Sequence, residues 1–112
     1  KMARPPKIKK GKRPKGFPSS VFIYGYDVDI LYCATMPKGY ENTFGITYHN
    51  EKRVYINLDQ PKEEMERTLF HEICHMVLFL SGHKYAMEDG QEEAVIRALE
   101  HGLLPLYRRK NR

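Results

Sequence analysis

"TLFHEICHMVLFLSGH", residues 68–83, sets two histidines four apart with a glutamate directly after the first. On an α-helix, residues i and i+4 stand one above the other, so His71 and His75 project from one face. Glu72 comes one residue on, about 100° further round, and points beside the pair rather than into it. On the opposite side Leu69, Ile73, Met76, Val77 and Leu80 form an apolar stripe. The pattern predicts a central helix with one polar window.

That window carries the chemistry of a zinc centre with its own general base. Neutral imidazoles hold zinc, and a neighbouring carboxylate takes a proton from water without being a ligand. His71 and His75 are therefore the expected metal ligands and Glu72 the expected catalytic residue. A helix whose histidines only hydrogen-bond is the competing reading, and it carries the desolvation cost of burying three polar side chains.

A catalytic zinc site needs a third protein ligand and an open fourth position. The metzincin arrangement requires Gly three and His six residues past the second histidine; Leu78 and Ser81 stand there, which excludes it. His83 lies two turns past His75 and has to double back. A second helix offers Glu92 and Glu93. On a helical wheel Val95, Ile96, Leu99 and Leu103 define a buried arc with Glu92 inside it, while Glu93 falls on a polar flank with Arg97 and Glu100. A carboxylate in an apolar stripe needs a partner, which zinc would supply. Glu92 is thus the expected third ligand, with Glu93 and His83 as alternatives. Tyr48, His49 and Tyr85 are candidate donors to a developing oxyanion.

Upstream, "VFIYGYDVDILYC" (21–33) reads as one strand with a wet face, bent or bulged at Gly25. "ITYHNEKRVYINL" (46–58) reads as a β-hairpin turning at 49–52. Asp59 is the expected N-cap of the first helix and Gly82 its stop. A second helix begins near Glu88, with Gly102 and Pro105 expected to end or kink it. Strands followed by helices indicate an α+β domain over residues 17–107: a small antiparallel or mixed sheet packed on two helices, the first carrying the His-Glu-x-x-His segment.

The formal charge of +5 is unevenly spread over the 112 residues. Residues 1–16 hold eight Lys/Arg and no acid, and 108–112 hold four more. Taking these twelve from nineteen leaves seven basic residues against fourteen acidic ones in 17–107. Residues 1–16 read as a disordered basic arm able to contact nucleic acid, and 108–112 as a basic tail. No stretch is long enough to span a bilayer, and no secretory apolar core follows the basic start, so no membrane partner is expected. Two cysteines make no disulfide framework, which fits a reducing, cytoplasmic setting.

"TLFHEICHMVLFL" after a hairpin, then "QEEAVIRALEHGLL", resembles the small gluzincin-like zinc metallopeptidases. These include the ImmA/IrrE-type proteins, short phage-encoded proteins of this kind and minimal gluzincins. The resemblance covers about residues 45–107. It implies a zincin-like fold, Zn2+ on His71 and His75, a general base at Glu72, a glutamate ligand on the following helix, and a protein or peptide substrate. A weaker likeness, at Gly82-His83, is to the SprT-like proteases. The alternative function is a catalytically silent, zinc-stabilised binding module for a host protein or DNA.

Overall fold

The computed structural model describes residues 5–110, with side chains to residue 106. The first four residues of the expected arm and the last two of the expected tail lie outside the described residues. Five strands come first: β1 (Lys9–Lys10), β2 (Ser20–Ile23), β3 (Tyr26–Thr35), β4 (Gly45–Tyr48) and β5 (Arg53–Asn57). Helix α1 (Lys62–Leu80), a short 3-10 turn (His83–Ala86) and helix α2 (Asp89–Lys110) follow. The α+β class is as expected.

The sheet is mixed. Its strand order is β1-β3-β5-β4, with β2 also paired to β3. β3 and β5 run parallel, Ile30 opposite Val54, and the chain reaches β5 through the antiparallel β4–β5 hairpin. β4 therefore closes the sheet at one side. The expected hairpin turns at 49–52, where Lys52 N–H donates to the His49 carbonyl at 3.2 Å.

The expected single strand over 21–33 is instead a second hairpin. Tyr24 (φ 49°) and Gly25 (φ 82°) both occupy left-handed conformations, as the two-residue turn between right-twisted strands demands. Tyrosine is a strand former and an unusual occupant of such a turn, so its identity gave no turn signal.

Alternate residues of the two central strands build a core on each side. Val28, Ile30, Tyr32, Val54 and Ile56 pack with Phe17, Met65 and Met76 beneath α1. Cys33, Tyr55 and Met36 form a smaller cluster on the other face, joined by Ile8. The expected disordered arm is thus partly a sheet element. β1 pairs with Cys33 and Thr35, and Gly11 N–H donates to the Tyr32 carbonyl at 2.9 Å.

Helix α1 begins two residues later than expected, with Pro61 rather than Asp59 at its cap position. Pro61 has no N–H to satisfy, and its carbonyl accepts from Met65 N–H at 2.9 Å. The helix ends at Ser81 and Gly82 (φ 84°), as the glycine predicts. Its most buried line is Met65, Thr68, Glu72 and Met76; of the expected stripe only Met76 is fully buried. α2 runs unbroken through Gly102 and Pro105 to Lys110. An exposed proline ring on the outer side, with Leu104 anchoring the helix beneath it, lets the helix continue past one lost hydrogen bond.

No helix among the described residues is long and apolar enough to cross a membrane. Both cysteines are free. Burial pushes the thiols of Cys33 and Cys74 up to about 11. Since the thiolate is the reactive form, a disulfide reagent at about pH 8 should modify the folded protein at least about tenfold more slowly than the denatured chain. Equal rates would show that these thiols are not enclosed as described.

Candidate metal centre

One turn of α1 stacks His71 over His75, ring centroids 4.9 Å apart and planes at 64°. Their Nε2 atoms lie 3.2 Å apart, facing each other. α2 packs across this row and sets three carboxylates against it. Glu93 reaches both inward nitrogens, Oε1 at 3.0 Å from His75 Nε2 and Oε2 at 3.4 Å from His71 Nε2. Glu92 bonds His75 on its other nitrogen, Nδ1, and Glu100 bonds His71 on Nδ1.

The proton arrangement follows from these contacts. An ionised carboxylate only accepts, so each Nδ1 carries the proton and donates outward, the tautomer dictated by the network. Both Nε2 lone pairs then point at each other and at the Glu93 carboxylate. With both rings neutral, these acceptors converge with no hydrogen among them, so the cluster calls for a positive charge at its centre, either a proton on one Nε2 or a metal cation. The two Nε2 atoms, 3.2 Å apart, each face a different Glu93 oxygen, at 3.0 Å for His75 and 3.4 Å for His71, spacings close to the roughly 3.3 Å between neighbouring donors of a tetrahedral ion with bonds of about 2.0–2.1 Å. His71, His75 and Glu93 form the group among the described residues that could hold a metal ion.

Glu92 therefore occupies a different place from the one expected of it. It is nearly fully buried, 4% exposed, as the wheel predicts. Its partner is the outer nitrogen of His75, with Lys84 Nζ at 3.4 Å on its second oxygen. Burial pushes its carboxyl upward, but the His75 hydrogen bond and the Lys84 charge outweigh this and hold it below its ordinary value. Glu92 and Glu100 thus orient the two imidazoles, the role of an outer carboxylate behind a metal-binding histidine. Glu93, the first alternative, supplies the converging oxygens. His83, the other alternative, is exposed, bonded to Ser81 Oγ at 2.9 Å and apart from the cluster.

The wheel failed in phase. Val95 and Leu103 are exposed, at 38% and 51%, whereas Glu92, Ile96 and Leu104 are buried with Glu93, Leu99 and Glu100 beside them. The histidine row on α1 selects the acidic side of α2 as the packing face. The seven-residue spacing of Glu93 and Glu100, two helical turns, was the signal that both face one way.

Glu72 points toward the sheet. Thr47 of β4 donates its hydroxyl to Glu72 Oε1 at 2.7 Å, with the Glu72 carbonyl 3.1 Å away. Burial pushes the Glu72 carboxyl above its ordinary value, opposed by the Thr47 hydroxyl and the two imidazoles. On either side of it opens a cavity. One, of about 300 Å3, is lined by Phe44, Arg67, Thr68, His71 and Glu100. The other, of about 360 Å3, is lined by Thr47, His49, His75, Lys84 and Glu93.

Of the three candidate oxyanion donors, only His49 lines this cleft. Its ring leans on Phe79 at 5.0 Å, and its buried Nε2 has no partner. Burial lowers its pKa, which keeps the ring neutral. Tyr48 packs edge-on against Tyr55, and Tyr85 lies 77% exposed beside Phe79.

Gly45 is what lets β4 come so close to α1. A Cβ there would stand 2.6 Å from Thr68 Cγ2 and 3.1 Å from Glu72 Cγ. Thr68 cannot easily yield, because its hydroxyl donates to Gln60 Oε1 at 2.9 Å. Gly45→Ala should lower unfolding stability by about 1–3 kcal/mol, the usual cost of overpacking, as read from a urea denaturation midpoint. An unchanged midpoint would mean that strand and helix are not in this contact. No family model, curated protein or solved structure matches the chain, so the nature of the centre rests on these side chains.

Proposed function

We propose that the chain is a zinc-dependent metalloendopeptidase of zincin-like, gluzincin-type architecture, with His71, His75 and Glu93 holding the ion and Glu72 acting as general base. The observation that carries this reading is the position of Glu72. It is a buried carboxylate, clamped by Thr47, next to three converging donors and between two open cavities.

Bound to these donors, zinc would supply Lewis acidity toward a peptide carbonyl and toward water. The remaining steps belong to the chain. Glu72 Oε2, the oxygen not bonded by Thr47, is free to take a proton from water entering the cleft, and the same carboxyl returns it to the departing amine. Its burial raises its basicity toward the working range of a general base. The Thr47 hydroxyl fixes the carboxylate plane throughout. β4 pairs with β5 on one side only, so its outer edge can align an extended peptide by strand addition. The two cavities then receive side chains on either side of the reacting bond. Neutral His49 lines the cavity beside His75, and a turn of its ring would bring its enclosed, unpartnered Nε2 to a developing oxyanion.

Two measurements test the proposal. Glu72→Gln should lower cleavage of an unstructured protein such as casein by at least about 100-fold, while zinc content by elemental analysis stays at wild-type level. Glu93→Gln should weaken zinc binding far more than Glu92→Gln, whose effect should be the roughly 10–100-fold expected for an outer partner. A protein that takes up no zinc ends the reading. One that binds zinc, melts lower on chelation and cleaves nothing is the zinc-stabilised binding module instead.

A further inference from the structure

The basic arm is built into the fold in a pattern that its composition alone does not announce. Ile8, Gly11, Pro14 and Phe17, at every third position, turn inward. Ile8 packs on the Cys33–Tyr55 cluster, and Phe17 is in the main core, 5% exposed. Gly11 lies against Leu58 and Ala34 so tightly that a Cβ would collide with the Leu58 side chain. Lys7 before these anchors and Lys9, Lys10, Lys12, Arg13 and Lys15 between them are all exposed, Arg13 turning one guanidinium nitrogen to the Phe17 carbonyl. None of the six forms an ion pair with a carboxylate among the described residues. From Lys7 to Arg13 the extended chain covers roughly 20 Å.

We propose that this ledge of six outward cations, held rigid by inward anchors three residues apart, binds the phosphate backbone of duplex nucleic acid without reading its sequence. Three features select that partner. The charges follow one another along an edge of the sheet, as successive phosphates do along a strand, and the backbone that carries them is already paired to β3, so little backbone ordering remains to be done. No aromatic residue of the ledge is exposed, because Phe17 faces the core; base stacking of the kind that holds single strands is absent from it. Nor does any apolar side chain project among the cations, as insertion into a bilayer interface requires. The excess of acids over bases in residues 17–107 repels the same polyanion, so contact is confined to the ledge.

The test uses the full chain and a short fluorescein-labelled duplex DNA in two unrelated sequences, read by anisotropy. Affinity should be equal for both sequences and fall about 1,000-fold between about 50 and 200 mM salt if all six cations engage. Lys9→Gln/Lys12→Gln/Lys15→Gln should flatten the slope of log K against log salt by about 0.9 per removed cation. Its thermal midpoint and zinc content should match wild type; if the midpoint falls, Lys12→Gln alone should still flatten the slope by about 0.9. Glu72→Gln should bind DNA as wild type does, which separates this inference from the peptidase reading. Absence of duplex binding at low salt would overturn it. So would preference for phosphatidylserine vesicles, or a salt slope that changes only on removing residues 108–112.

Discussion

Two imidazoles on one helix meet three carboxylates on the next, and the rest of the molecule is arranged around that encounter. Each ring is held on both nitrogens: Glu92 and Glu100 from outside, Glu93 from inside. Held in this way, the two inward nitrogens and the Glu93 carboxylate crowd together and call for a positive charge among them. The packing face of α2 is therefore chosen by charge rather than by its apolar residues. Ile96 and Leu104 are buried because they lie in line with the acids, while Val95 and Leu103 are left to solvent.

The same encounter explains why the sheet is needed. α1 offers its histidines to α2 and its buried line to the sheet, and Glu72 belongs to the second set. β4 meets it there with a hydroxyl at Thr47 and bare backbone at Gly45, where a Cβ would collide with Thr68. A carboxylate is thus taken from water, given one hydrogen bond and left between two cavities. Fold and chemistry share a single constraint: α1 must present a different polar function to each of its two neighbours.

Much of this was legible in the residue order. The four-residue histidine spacing put two rings side by side on one helix, Gly82 marked the end of α1, and the β-prone runs around residues 49–52 gave the β4–β5 hairpin. Glu92 is buried, as its place within the apolar arc implies. What its position could not tell was which ring nitrogen it would meet, because that depends on how α2 crosses α1, and a wheel contains no partner. Thr47, Gly45 and Lys84 were invisible for a similar reason: each matters through one contact to a residue far away in the chain. The Tyr24–Gly25 turn was concealed by a tyrosine whose strand preference the hairpin overrides. The charge and prolines of the arm point to disorder, although its inward residues recur every third position, a period that neither a helix nor a strand pattern detects.

That three-residue anchoring has a mechanical outcome. A segment tied at one end peels off residue by residue, and trypsin would find many lysines and arginines to cut. Here, freeing Lys10 for a protease cleft means parting the neighbouring Gly11–Tyr32 bond, while Phe17 keeps the far end seated among Tyr32 and Met65. Zippered in this manner, residues 8–17 open to digestion only when the sheet beneath them opens too, so Lys9, Lys10, Lys12 and Lys15 should survive as long as the globule does.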